Sequence, residues 1–289
     1  MILQFTAKEC QFFMYYTTMG SKSWISLKHQ VKQAASRQTV FGFILKHFLK
    51  LLRLTDYEDE LQLQMHPRPH YGYCLLSSAK LAKRLGISEI SALEFGVAGG
   101  NGLYSLEYHA LKVQEITGVK IQIYGFDLSS GLPPPQDYRD LAYHFVAGDF
   151  QMNIEELSTK LSRSKLVIGD VKSTVRNFFD VYKPAKIGAI FFDLDFYSST
   201  RDALEILRDN PNNFVPRVFC YFDDVVGGAK ELYNDYTGER LAINEFNSQN
   251  ESVKLGIAYY LRSQSNARWK DMIWIAHFFK NEQYNAKST

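Results

Sequence analysis

At 289 residues and 33.3 kDa, the chain is long enough for one large domain or one domain with an appendage. Hydrophobic content of 46% and charged content of 22% describe an ordinary soluble globular protein able to bury a full core, and a net charge of +2 gives no nucleic-acid signature. Three widely spaced cysteines (Cys10, Cys74, Cys220) exclude a disulfide framework and a cysteine metal site, so a reducing cytoplasm is the expected location. No apolar run is long enough to span a bilayer, and the N-terminus lacks a basic region ahead of an apolar stretch.

Charge is unevenly spread. Residues 1–54 hold eight Lys or Arg against Glu9 alone, a net +7, which leaves −5 of the overall +2 for the rest. Residues 1–39 are aromatic and mixed, with weak periodicity. Val40 to Leu54 has helical apolar spacing with a polar stripe at Lys46, Lys50 and Arg53. That helix is expected to pack on the domain or on a second subunit, as in a homo-oligomer. The alternative is peripheral membrane contact through residues 40–54, with the basic stripe on an anionic surface. Asp56 to Glu60 and then His66-Pro67-Arg68-Pro69 break the pattern and predict a linker, so residues 1–70 are expected to form a helical extension. Tyr71 to Leu85 predicts a helix stopped by Gly86, opening a domain over 71–289.

From there strand-like runs alternate with helical ones. Strands are predicted at 91–97, 120–126, 164–168, 187–193 and 217–222, with helices at 103–116, 152–162, 173–181 and 200–209. Such alternation predicts an α/β fold, a doubly wound, mostly parallel sheet. Two β-rich runs, Lys254–Leu261 and Met272–Phe279, predict a closing antiparallel pair and bring the strands to seven.

Ligands of open α/β sheets bind beyond the carboxyl ends of the strands, so the residues there are the candidates. After the first strand comes Gly96-Val97-Ala98-Gly99-Gly100-Asn101-Gly102, a strand-to-helix turn. Glycine lets a ligand approach the main chain, and the following helix offers free N–H groups. It is not the dinucleotide fingerprint, since Gly96-Val97-Ala98 breaks the first G-x-G. Asp127 ends the second strand, placed to accept hydrogen bonds from both ribose hydroxyls. Gly169-Asp170 follows the third, a candidate contact for an adenine edge. Neighbouring fourth and fifth strands bring Asp193 next to Asp223 and Asp224. No Lys or Arg occurs over 187–200 to neutralise them, and a hard divalent cation, Mg²⁺ or Mn²⁺, would resolve the repulsion. Asp195 also lies there; Ser198, Ser199 and Thr200 are good helix caps, so its part could be structural.

Taken in order, Glu94-x-Gly96-Val97 with Gly99 and Gly100, Gly125-Phe126-Asp127 with Gly131-Leu132-Pro133, Asp193-x-Asp195-x-Tyr197-x-Ser199-Thr200, and Asp223-Asp224 resemble the macrocin O-methyltransferase family of class I S-adenosylmethionine (SAM)-dependent methyltransferases. The similarity spans roughly residues 90–280. It implies the Rossmann-like class I methyltransferase fold and methyl transfer from SAM to a hydroxyl of a sugar or other small natural-product acceptor. It implies cofactor contacts at Glu94, Gly96, Gly99, Gly100, Asp127 and Asp170, with Mg²⁺ or Mn²⁺ held by Asp193, Asp223 and Asp224. The more distant catechol O-methyltransferase carries a lysine three residues after its first metal aspartate, where this chain has Phe196. His144, in a region that faces the acceptor in the resembled family, is the first candidate base, with Asp193 or Asp195 as alternatives. Two other functions stay open: an Asp-x-Asp nucleotide-sugar glycosyltransferase, and a catalytically silent SAM-fold partner protein.

Overall fold

The computed structural model describes Val31, residues 40–265 and residues 267–286; apart from Val31, the stretch over 1–39 lies outside the described residues. The chain divides into two compact units, Met1–Met65 and His66–Thr289.

In the first unit, the helix expected from Val40 is present as α1 (Val40–Leu51) and stops three residues short of Leu54. The acidic patch expected to be a linker is a second helix, α2 (Tyr57–Gln62). Its cause is local. Asp59 N–H donates to Asp56 Oδ1 at 2.8 Å, and Asp56 N–H donates back to Asp59 Oδ2 at 3.4 Å, a capping box with acids in the favoured first turn. Leu49 and Leu63 are buried with Val31 between these elements. Two of the three stripe residues are engaged inside the unit, Lys50 with Glu60 at 2.9 Å and Lys46 with the Leu63 carbonyl at 3.5 Å. Phe43, Ile44, Phe48 and Leu51 are exposed.

The second unit is the α/β domain. Helix α3 (Pro69–Arg84) leads into β1 (Glu89–Phe95), α4 (Asn101–Thr117) and β2 (Lys120–Asp127). Next come α5 (Ile154–Lys160), β3 (Ser164–Ile168), α6 (Val171–Tyr182), β4 (Ile187–Phe192) and α7 (Tyr197–Leu204). The chain finishes with β5 (Phe214–Phe222), α8 (Gly238–Gln249), β6 (Val253–Ile257), α9 (Tyr259–Arg262) and β7 (Ile273–Phe278).

The sheet order is β3-β2-β1-β4-β5-β7-β6, parallel except where β7 runs antiparallel to both neighbours. This is the class I methyltransferase fold. Helix α3 packs on α4, β4 and β5, while α7 packs on α6 and α8. The predicted 254–261 strand is cut at Ile257, because Ala258–Arg262 turns into α9 and buries Leu261.

One row of rings locks the sheet near the carboxyl ends of its strands. Phe126, Phe95, Phe192 and Phe222 are successive register partners across β2, β1, β4 and β5. Their centroids are 4.5, 5.3 and 4.5 Å apart, near-parallel, and all four are at most 2% exposed. Burying each ring stabilises by roughly 1.5–3 kcal/mol. The next residues are Asp127, Gly96, Asp193 and Asp223, so the row sets all four at one level.

Candidate active site

The glycine turn is built from both neighbouring strands. Gly96 N–H donates to Phe126 O at 3.0 Å, and Asp193 N–H donates to Phe95 O at 2.9 Å. Gly96 has φ +86°, and a Cβ there would lie 2.8 Å from the Asp193 carbonyl carbon and nearer still to its oxygen. Only glycine lets the main chains of β1 and β4 approach this closely. Asp127 braces the turn from β2: Val97 and Ala98 N–H donate to its Oδ2 at 2.8 and 2.9 Å, and Ser129 N–H to its Oδ1 at 2.6 Å. The carboxylate expected to serve ribose hydroxyls is therefore first a backbone clamp.

Beyond the turn lies a cavity of about 530 Å³ at the carboxyl ends of β1 to β5, within the roughly 300–1,000 Å³ of small-molecule sites. Of the expected cofactor residues, Glu94, Gly96, Gly99, Asp127 and Asp170 line it. Gly100 does not; it caps α4 with φ +81°, against the Leu157 side chain. Asp170 also caps α6, its carboxylate accepting from Ser173 N–H at 3.3 Å. Leu132, Pro133 and Phe150 supply apolar wall.

At the β4–β5 side, four aspartates meet. Asp193, Asp195 and Asp223 line the cavity. Asp224 is buried just behind, its Oδ1 accepting from Tyr233 Oη at 2.6 Å and its Oδ2 from Asp195 N–H at 3.1 Å. Tyr221 Oη donates to Asp223 Oδ1 at 2.6 Å. Burial, and then the charges of Asp223, Asp224, Asp195 and Glu94, push the Asp193 carboxyl well above the usual range. Burial and Asp224 push Asp195 up to about 8, and burial and Asp223 push Asp224 up to about 6. Glu239 is fully buried, holds Asp224 N–H at 2.9 Å, and is raised too, by burial and then by Asp224. The acids outnumber the countercharges that reach them, Arg68 toward Asp193 and Asp223 and Arg268 toward Asp224, and their donor atoms are all oxygen, which fits a hard divalent cation. The side chains as placed do not converge: among the described residues no three His, Cys, Asp or Glu groups are arranged to hold an ion.

His144, the first candidate base, does not line the cavity; its Nε2 lies 3.9 Å from Glu231 Oε1 on a neighbouring loop. Asp193 and Asp195, the alternatives to it, do line the cavity.

Sequence reasoning missed a cluster at the start of α3. Arg68 lines the cavity, and its charge reaches Glu94, Asp193 and Asp223. Tyr71 Oη donates to Glu94 Oε1 at 2.6 Å, while its ring stacks on Phe191 at 4.3 Å. Burial, partly offset by Tyr71 and Arg68, raises Glu94 to about 8. His70 stacks on Tyr221 at 4.2 Å and is pushed down to about 3 by burial and by Arg68. The available signal was Arg68-Pro69: proline suits the first helical position, so the supposed linker was already a helix start.

No family profile and no curated protein matches the chain. Solved structures do resemble it. The calicheamicin methyltransferase CalS11 has 18% identity and a TM-score of 0.49, covering 91% of this chain and 95% of its own. The O-methyltransferase NovP has 14% identity and a TM-score of 0.49, covering 73% and 79%. The plantazolicin methyltransferase BpumL, in complex with SAH, has 11% identity and a TM-score of 0.35, covering 88% and 95%. The fold and the site stand on this chain's own geometry. Among the described residues no helix is long and apolar enough to cross a membrane.

Proposed function

We propose that this chain is a SAM-dependent O-methyltransferase that methylates a hydroxyl of a sugar or another small natural-product acceptor. One observation carries this reading: among the described residues, six acids and a single guanidinium line a cavity at the strand ends of a class I methyltransferase sheet. An acidic cavity suits a ligand with a sulfonium and an ammonium group. Asp127 retains lone pairs for ribose hydroxyls, and Asp170 sits on the β3 side, where the base would lie. The methyl group would then face Asp193 and Asp195.

In this reading the acceptor oxygen attacks the sulfonium methyl carbon in line with the departing sulfur. The O–C bond forms as the C–S bond breaks, and neutral S-adenosylhomocysteine leaves. The hydroxyl proton passes to the carboxylate form of Asp193 or Asp195, both of which line the cavity. Holding oxygen and methyl within reach of each other supplies most of the acceleration. Asp193, Asp223 and Asp224 would hold Mg²⁺ or Mn²⁺, which when bound polarises the acceptor hydroxyl.

Calorimetry with SAM and with a nucleotide-diphospho sugar tests the cofactor, and methyl transfer to a panel of hydroxyl compounds, with and without EDTA, tests the reaction. SAM binding and EDTA-sensitive transfer restored by Mg²⁺ are expected. Binding of the nucleotide sugar alone would move the chain to the glycosyltransferases. Full EDTA-resistant transfer by Asp193→Asn and Asp223→Asn would remove the metal.

A further inference from the structure

Resting on the SAM reading above, we infer that Arg68 is the carboxylate receptor of this site, binding the α-carboxylate at the amino-acid end of the cofactor. Of the described residues lining the cavity, Arg68 is the one base among six acids. Among the described residues its guanidinium makes a single hydrogen bond, to Tyr71 Oη at 3.4 Å, and lies 5.3 Å from that ring. Among the described residues no carboxylate sits within ion-pair distance of it. A half-buried guanidinium has five N–H donors in a fork that matches a carboxylate, and here nearly all of them are free.

The backbone also points to a held position. Arg68 has φ 40° and ψ 62°, a left-handed conformation, and it stands between two prolines. Pro67 O is tied to His109 Nε2 at 2.8 Å, and Tyr71 N–H donates to Arg68 O at 2.9 Å. Strain kept in place on both sides fixes where the side chain starts.

The ligand's own shape selects which group reaches Arg68. Three branches leave the sulfonium. The nucleoside belongs with Asp127 and Asp170, and the methyl with Asp193. With the aspartates so assigned, the charged lining residues that remain are Glu94 and Arg68, the latter at the N-cap of α3. An amino acid fits there by charge: the ammonium toward the acids, the carboxylate toward Arg68.

The test compares SAM, S-adenosylhomocysteine and decarboxylated SAM by calorimetry on the full chain, for wild type, Arg68→Lys and Arg68→Met. Wild type should bind SAM about 10- to 100-fold more tightly than decarboxylated SAM, the worth of a charge-assisted bond. Arg68→Met should lose that preference, weakening SAM and S-adenosylhomocysteine alike while leaving decarboxylated SAM nearly unchanged; Arg68→Lys should fall between. Equal wild-type affinity for SAM and decarboxylated SAM would overturn the inference even if no variant folded. So would an Arg68→Met protein that keeps the full preference. A wild type that binds none of the three would sink the SAM reading itself, a separate outcome.

Discussion

Gly102 carries the sharpest stability prediction. It is the second residue of α4, where replacing glycine by alanine ordinarily stabilises a helix by about 0.5–1 kcal/mol. Here a Cβ would lie 2.6 Å from Glu94 Cδ and 2.9 Å from Oε2, with Oε1 nearer still. Glu94 cannot swing away freely, because it is 1% exposed and accepts the Tyr71 hydroxyl. Gly102→Ala must therefore displace a buried carboxyl. Overpacking costs roughly 1–3 kcal/mol, and breaking the Tyr71–Glu94 bond in a buried site adds about 1–3 kcal/mol. The sum outweighs the helix gain, so a net loss of roughly 1–5 kcal/mol is expected. Thermal unfolding of wild type, Gly102→Ala, Glu94→Ala and the double variant closes a cycle. In Glu94→Ala the space is empty, and the added methyl should be neutral or stabilising, a coupling of at least about 1 kcal/mol. A Gly102→Ala protein as stable as wild type, or equally damaged in the Glu94→Ala background, would refute the packing argument.

Two further outcomes follow from the same edge. Glu94 has a folded pKa of about 8, above its ordinary value, so the folded state binds more protons than the unfolded one between those values. Its contribution is complete below the unfolded pKa and is lost as pH rises through about 8; the melting temperature of the ligand-free protein should fall over that window, and less steeply in Glu94→Gln. Identical slopes would show that Glu94 does not titrate there. Asp127→Ala removes the acceptor of three backbone N–H groups and should lower ligand-free stability by about 1–3 kcal/mol, besides weakening SAM. Weaker SAM binding at unchanged melting temperature would make it a ligand contact and not a clamp.

Much of this architecture was legible in the sequence because its causes are local. Phe95-Gly96, Phe126-Asp127, Phe192-Asp193 and Phe222-Asp223 each end an apolar run, and alternation along a strand dictates that when the ring packs inward the next residue turns over at the edge. What stayed hidden depends on distant contacts or weak starts. Arg68 meets Glu94, Asp193 and Asp223 only once α3 lies over β4 and β5. Helix α8 begins at Gly238 with φ +58°, and Thr237 makes no side-chain cap bond, so no start signal precedes it. Tyr259-Tyr260-Leu261 has strand-forming residues, yet tertiary contacts win: Leu261 is buried and Tyr260 Oη meets Tyr73 Oη at 2.9 Å. His144 was the first candidate base because its region faces the acceptor in the resembled family, but its side chain stands beside Glu231 and does not line the cavity.

The domain's interior and its carboxyl edge pull in opposite directions. The Phe126–Phe95–Phe192–Phe222 row supplies buried apolar surface and fixes strand register. One residue later, the same strands set down acids that repel each other, and the adjoining turns hold Ala98, Ser129 and Asp195 at positive φ, as the start of α3 holds Arg68. Left-handed backbone costs a non-glycine residue about 1–2 kcal/mol, and the raised carboxyl pKa values mark further cost at neutral pH. Nothing in packing alone requires this edge. A cationic ligand bound there relieves the repulsion among the acids, and an anion at Arg68 occupies the donors that protein groups leave open. Stability given up at this edge would be returned on binding, so the proposed affinity for charged ligands follows from how the sheet ends.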